Sequence, residues 1–313
     1  MITIIHQGAF TTIQDEGRFG YQAYGMPSAG AMDRYAYRVA NFLVGNNANA
    51  AVFEMTTFGA SFKFDEEQLV AVCGADMQGT INGMPIRNWS SFKVPRNSEM
   101  KFDVATKGCR AYVSVAGGID VPLVLGSRST CTRAQVGGHE GRALWQGDVL
   151  SIGQDCTFSI QPRSLETEYI PKYSDQIQLR VILGPQENLF TQDAIKTFFE
   201  STYTITEQTD RMGYHLKGPG IMYSGKADIV SDAVCLGAIQ VPVNGMPLIM
   251  TADHQTTSGF AKFGSVIRVD LSTLAQAKPG DQIRFRCIPE QEGIEALKDE
   301  KQRYSVIAGI SPM

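Results

Sequence analysis

Apolar residues in this chain come in short runs, and a glycine, a proline or a polar turn interrupts almost every one. The 31 glycines and 13 prolines are scattered rather than clustered, so few stretches are long enough for a helix. That pattern predicts a mainly β protein. Candidate strands are Leu69 to Cys73, Ala111 to Val115, Leu179 to Leu183, Ile239 to Val243, Leu248 to Met250 and Val266 to Val269. Two stretches read as helices instead. From about Ala29 to Val44, Met32, Tyr35, Ala36, Val39, Ala40 and Leu43 recur at steps of three and four, with Gly45 as a stop. From about Gln192 to Glu200, Ile195, Phe198 and Phe199 form one apolar face, and Thr191 stands at the N-cap position.

At roughly 100–200 residues per domain, 313 residues suggest two domains. Gln146-Gly147-Asp148-Val149-Leu150 echoes Pro279-Gly280-Asp281-Gln282-Ile283, a Gly-Asp turn leading into a short strand near the end of each half. The polar stretch from Arg163 to Gln176, with Pro171, is the expected boundary. The expected division is therefore a β domain over 1–165, a second over 175–290, and an extension over 291–313. The charged run after Pro289 suits a C-terminal helix or an arm packed across the domains.

Charge and composition narrow the function classes. A net charge of −4 without a basic run argues against a dedicated nucleic-acid binder. No apolar segment reaches about 18 residues, and MITIIHQGAF lacks the basic and apolar regions of a signal peptide, so a cytoplasmic protein is expected. The six cysteines form no CxxC pair and the four histidines no HExxH, so neither a disulfide framework nor a metal site is expected. Gly220 to Ala227 nearly matches a phosphate-binding loop. Ala227 replaces the final Ser/Thr, and no apolar strand precedes it, so a turn is the better reading. There is no GxSxG elbow. Gly126-Ser127-Arg128-Ser129-Thr130 reads as a turn with an arginine anchored by hydroxyls, and Trp89 and Trp145 as packing residues.

Three polar segments are too dense to be ordinary loops. The first runs from Thr11 to Arg34 and holds Gln14, Arg18, Ser28 and Asp33 among glycines that let a ligand approach the backbone. Ser28 precedes the expected helix, whose N-terminus suits an anion; the plainer alternative is that Ser28 caps the helix and Asp33 pairs with a nearby arginine. The second is Thr209 to Tyr214, where adjacent Asp210 and Arg211 make either a structural salt bridge or a carboxylate reader. The third is TADHQTTSGF, from Thr251 to Phe260, with Gln240 upstream and Lys262 downstream. A buried strand that ends in Asp253, His254, Gln255 and Thr256 can place those groups at one rim of a sheet or barrel. His254 is the side chain there whose ordinary pKa lies near neutrality.

Taken together, TTIQDEGRFGYQAYGMPSAGAMD, CRAYVSVAGGIDVPLVLGSRST, TDRMGYHLKGP, SDAVCLGAIQVPVNGMPLIMTADHQTTSGF and LAQAKPGD resemble the biotin-dependent carboxyltransferase-domain family. The resemblance runs from about Ile4 to Phe285. The family includes the C component of the three-part 5-oxoprolinase (the KipA type, with the older label allophanate hydrolase, second subunit) and fused urea carboxylases. It implies two cyclophilin-like β-barrels with a few short helices. As partners it implies the A and B components of the 5-oxoprolinase, the B component being a homologue of the KipI type. It implies ATP-driven opening of 5-oxoproline to glutamate, with ATP and Mg2+ acting at the level of the complex. By that resemblance Arg18, Arg211 and Lys262 would stabilise charge, Asp33, Asp210 and Asp253 would bind magnesium or orient a nucleophile, and Gln14, Gln240 and Gln255 would read the lactam. Ser28, His254 and Thr256 would complete the binding site, in a pocket expected between the two barrels. Two rivals stand beside that reading. One is a regulator without chemistry that binds the KipI-type homologue and frees a histidine kinase from inhibition. The other is a carboxyltransferase serving a biotinylated carrier. The chain carries neither the AMKM biotin-acceptor sequence nor a Ser–Ser–Lys amidase signature.

Overall fold

A computed structural model describes residues 1–153, 161–225 and 228–309. Cys156, Lys226 and Ala227 lie outside the described residues. The chain is mainly β and divides into two compact units. The first takes Met1–Phe19, Ala29–Tyr173 and Tyr304–Met313, and the second Gly20–Ser28 and Ser174–Arg303. Gly20–Ser28 thus groups with the second unit although it falls within the first half of the sequence.

In the first unit, two antiparallel sheets share one core. One sheet runs in the order 119–120, 149–152, 2–6, 61–64, 98–101, 80–81, 84–85; the other 10–14, 52–56, 107–115, 68–76, 90–94. Period-two alternation sends Val70, Val72, Ala111, Val113 and Val115 inward to meet Ile2, Ile4, Phe62, Phe64 and Met100 from the facing sheet. The intervening Ala71, Cys73 and Tyr112 face the other way and are covered by α1 (Arg34–Val44), through Ala36, Val39, Ala40 and Leu43. Both faces of this sheet are therefore buried, which is why Ala111 to Val115 is apolar at every position but Ser114, itself buried. Glycine is required where the strands pinch. A Cβ on Gly74, at φ +91°, would stand 2.4 Å from the Arg110 carbonyl oxygen, beside the register shift between Lys107 and Ala111.

The second unit is a closed barrel. Its strands pair in the cycle 176–183, 282–287, 202–205, 213–217, 248–250, 238–241 and 257–266, and 257–266 returns to 176–183. The closing pairs are Val181 with Val266, Ile182 with Ser265 and Leu183 with Gly264. Strand 228–233 rides outside the cycle on the first half of 257–266. α2 (Gln192–Glu200) packs Phe198 against Phe263 and Phe285, with ring centroids 4.5 and 4.3 Å apart. Short α3 (Leu271–Leu274) precedes the last barrel strand, and α4 (Glu290–Ile307) follows it.

The Gly-Asp echo takes the same geometry twice. Gly147 and Gly280 have φ of 93° and 94°. Asp148 accepts the Trp145 amide at 2.8 Å and Asp281 the Lys278 amide at 2.9 Å, three residues back in each case. Each turn leads into a strand, 149–152 and 282–287.

Two elements differ from expectation. α1 begins at Arg34 rather than near Ala29, and Asp33 caps it by accepting the Ala36 amide at 3.0 Å. Ser28 is therefore not its cap. Val266 to Val269 is not a strand: the ladder stops at Val266, and Arg268–Asp270 forms a 3-10 turn held by Arg180, which grips Asp270 from Nε at 3.1 Å and Nη2 at 2.6 Å.

Candidate functional site

In the first unit, polar groups gather on the α1 side of the sheet 10–14, 52–56, 107–115. Thr12, Glu54 and Tyr112 are register partners across three strands and so share that face. Glu54 is buried, and its Oε2 accepts the Tyr112 hydroxyl and the Met32 amide, each at 2.8 Å. The Tyr112 oxygen in turn accepts the Asp33 amide at 2.8 Å. Burial, reinforced by the charge on Glu54, pushes the Tyr112 phenol well above its usual range, so it remains a donor. This network fixes the approach to α1 at Met32 and Asp33. Its sequence signal, a lone glutamate inside Val52-Phe53-Glu54-Met55, lies in none of the three polar segments and was not anticipated.

Arg18 and Gln14 are fully buried beside the hydroxyl-rich turn. Arg18 Nη2 donates to the Ser129 carbonyl at 2.7 Å. Gln14 Nε2 donates to Thr12 Oγ1 at 2.9 Å and to the Thr130 carbonyl at 3.1 Å. Asp15 anchors the turn by accepting Ser127 Oγ at 2.6 Å, the Arg128 amide at 2.5 Å and Ser129 Oγ. The hydroxyls of Ser127 and Ser129 thus hold an aspartate rather than an arginine, and Arg128 turns away to the Val121 carbonyl.

The second unit assembles the other residues around TADHQTTSGF. Arg211 and Asp253 form a buried two-point pair, Nε to Oδ2 at 2.9 Å and Nη2 to Oδ1 at 3.0 Å. The backbone doubles the clasp: the Arg211 carbonyl accepts the Asp253 amide and Thr251 Oγ1. Asp210 accepts the Met212 and Gly213 amides and shapes the turn before strand 213–217. Asp33, Asp210 and Asp253 are each engaged locally, and among the described residues no three His, Cys, Asp or Glu side chains converge as metal ligands.

His254 is fully buried. Its Nδ1 lies 2.8 Å from the Gln255 carbonyl oxygen, so Nδ1 carries the proton and Nε2 is a bare acceptor. Burial lowers its pKa below the ordinary value and keeps the ring neutral. Nε2 has no partner among the described residues. Lys262 stands opposite Gln240 in the ladder, on the same face. Its ammonium donates to Asp232 Oδ2 at 2.5 Å and to the Ala233 carbonyl at 3.0 Å, and its amide to Gln186 Oε1 at 2.8 Å. The Lys262 ammonium holds the Asp232 carboxyl below its usual range. From Ala233 the ladder leads back to the third segment: Val234 donates to the Thr256 carbonyl. Gln240, Lys262 and Thr256 are thus linked through adjoining strands; His254 stands two residues before Thr256 in the chain, and Gln255 is exposed. Gln186 supports Lys262 from a turn far off in sequence and was not anticipated. Ser28 is buried within Gly20–Ser28.

The model of the carboxyltransferase domain, subdomains A and B, matches residues 24–287. The chain belongs to this family. Among its relatives, the 5-oxoprolinase C component of Escherichia coli is 33% identical over 310 residues, covering 98% of both chains. The 5-oxoprolinase C component of Haemophilus influenzae is also 33% identical, over 97% of this chain and 96% of its own. The urea amidolyase of Saccharomyces cerevisiae is 35% identical, but the matching part is 17% of that protein. The carboxyltransferase fold recurs in the crystal structure of the Kluyveromyces lactis urea amidolyase, with a TM-score of 0.93 and 30% identity over 98% of this chain. The chain spans 20% of that larger structure. No helix among the described residues is long and apolar enough to cross a membrane.

Proposed function

We propose that the chain is the C component of an ATP-dependent 5-oxoprolinase, which opens 5-oxo-L-proline to L-glutamate together with the A and B components. The observation that carries this reading is the end-to-end match to free-standing C components of similar length. ATP supplies the phosphoryl group that activates the lactam carbonyl toward water. The chain's own residues bind and orient the lactam. In the second unit Lys262 brings positive charge and His254 Nε2 a neutral acceptor, held by Asp232 and by the Gln255 carbonyl. Asp253 and Arg211 act as a pair, fixing the turn from which His254 projects.

The test is reconstitution with the A and B components, with phosphate release measured with and without 5-oxoproline. Turnover that needs all three chains and the substrate is expected. Asp253→Asn removes the charge from the buried two-point partner of Arg211, so melting temperature and turnover should fall together, by about 3–5 kcal/mol in stability. A stable complex without turnover would overturn the oxoprolinase reading.

Likeness to the urea amidolyase structure favours a second reading, carboxyl transfer from a biotinylated carrier. Turnover abolished by avidin would select it.

A further inference from the structure

Three glutamines are candidate amide readers, and the structure separates them. Gln255 is exposed. Gln14 commits its amide hydrogens to Thr12 and Thr130, and among the described residues its Oε1 alone lacks a partner. Gln240 is 1% exposed, and neither Nε2 nor Oε1 has a partner among the described residues. A buried polar group without a partner costs about 1–3 kcal/mol, and Gln240 carries two. It stands on strand 238–241 opposite Lys262, where a methionine or leucine would fill the space without that cost.

A carboxamide presents one donor and one acceptor side by side on one edge. A single small ligand satisfies both when it carries an acceptor and a donor adjacent on its own edge. An ordinary open-chain secondary amide is trans, with its C=O and N–H on opposite sides, and the cis form costs about 2.5–4 kcal/mol. A lactam ring imposes the cis arrangement, and urea shows the same edge because each nitrogen has a hydrogen beside the carbonyl oxygen. We propose that Gln240 is the specificity-determining residue of this site and makes a two-point contact with the syn C=O/N–H edge of a small amide, a lactam or urea. Lys262, on the same face, supplies the positive charge for the substrate's carboxylate or for the oxygen that gains charge. Hydrolysis destroys the edge: when the ring opens, the carbonyl becomes a carboxylate and the nitrogen leaves as an amine. Gln240 then holds substrate and releases product. For the lactam, this inference rests on the oxoprolinase reading; for urea, it does not.

Direct binding to the full chain tests it, by calorimetry with 5-oxoproline, 1-methyl-5-oxoproline (no N–H), N-acetylalanine (a trans amide) and urea. The wild type should bind 5-oxoproline at least about tenfold more tightly than the methylated and open-chain analogues, because each leaves a buried group unpaired. Gln240→Met should abolish that preference. Without ligand, Gln240→Met should melt at or above the wild-type temperature, a result that a merely structural glutamine would not give. Urea bound in place of 5-oxoproline, and lost in Gln240→Met, would uphold the role of Gln240 while removing the oxoprolinase reading. Equal binding of 5-oxoproline by wild type and Gln240→Met, equal binding of the methylated lactam, or no binding of any probe would overturn the proposal.

Discussion

His254 is neutral at pH 7 because it is buried and gives its one ring proton to its neighbour's carbonyl. Its folded pKa lies below the ordinary value near 6.5. Above that value both folded and unfolded chains hold the ring neutral, and stability is at its full level. As pH falls below it the unfolded chain takes up the proton first, so stability declines. The melting temperature of the wild type should therefore drop between pH 7.5 and 5.5 by more than that of His254→Asn, whose amide keeps the donation to Gln255 without titrating. Identical pH profiles for the two proteins would remove His254 from that role. At this scale the residue types were readable from the chain and their commitments were not. That Arg211 would spend itself on Asp253, 42 residues away, follows from strand pairing that neither local segment displays.

α1 shows where local signals suffice and where they fail. Gly45 ends it in the left-handed conformation, and Thr191 caps α2, because such punctuation acts within one turn of chain. The start of α1 is different. Ser28 and Asp33 are both good caps, and the choice is made by Glu54 and Tyr112, which hold the Met32 and Asp33 amides outside the helix. Replacing Asp33 with Ala should cost about 0.5–2 kcal/mol, measured by urea denaturation, while Asn should preserve the cap and nearly all the stability. If Asp33→Asn is as stable as wild type yet inactive in the reconstituted complex, the charge of Asp33 also serves the chemistry. The strand Thr257–Val266 was hidden for a related reason. Its glycines and polar residues make no apolar run, and Gly264 is there because a Cβ would stand 2.7 Å from the Ile182 carbonyl oxygen. Val266 to Val269 misled in the opposite direction, being apolar where the ladder had already ended.

The resemblance to the family already implied barrels, and the second unit is a closed one; which strands close it was not legible, since that depends on pairing between distant strands. Strand 176–183 pairs in parallel with 282–287, in register from Gln176 with Gln282 to Val181 with Cys287, and antiparallel with 257–266. A chain ending after Asp281 would lose the parallel pairing, together with that between 202–205 and 282–284. It should show rapid proteolysis across 174–281 and loss of near-ultraviolet circular dichroism from the Phe198, Phe263 and Phe285 cluster. Near-native protection would mean that the cycle does not need its last strand.

The parallel pairing also sets a timetable. About a hundred residues separate strand 176–183 from its partner, and at about 5–20 residues per second a ribosome needs several seconds to make them. Through that interval the edge that will pair with 282–287 stays open, and until 257–266 is made the opposite edge is open as well. The wait before barrel closure is thus the point in synthesis at which a chaperone has most to offer this chain.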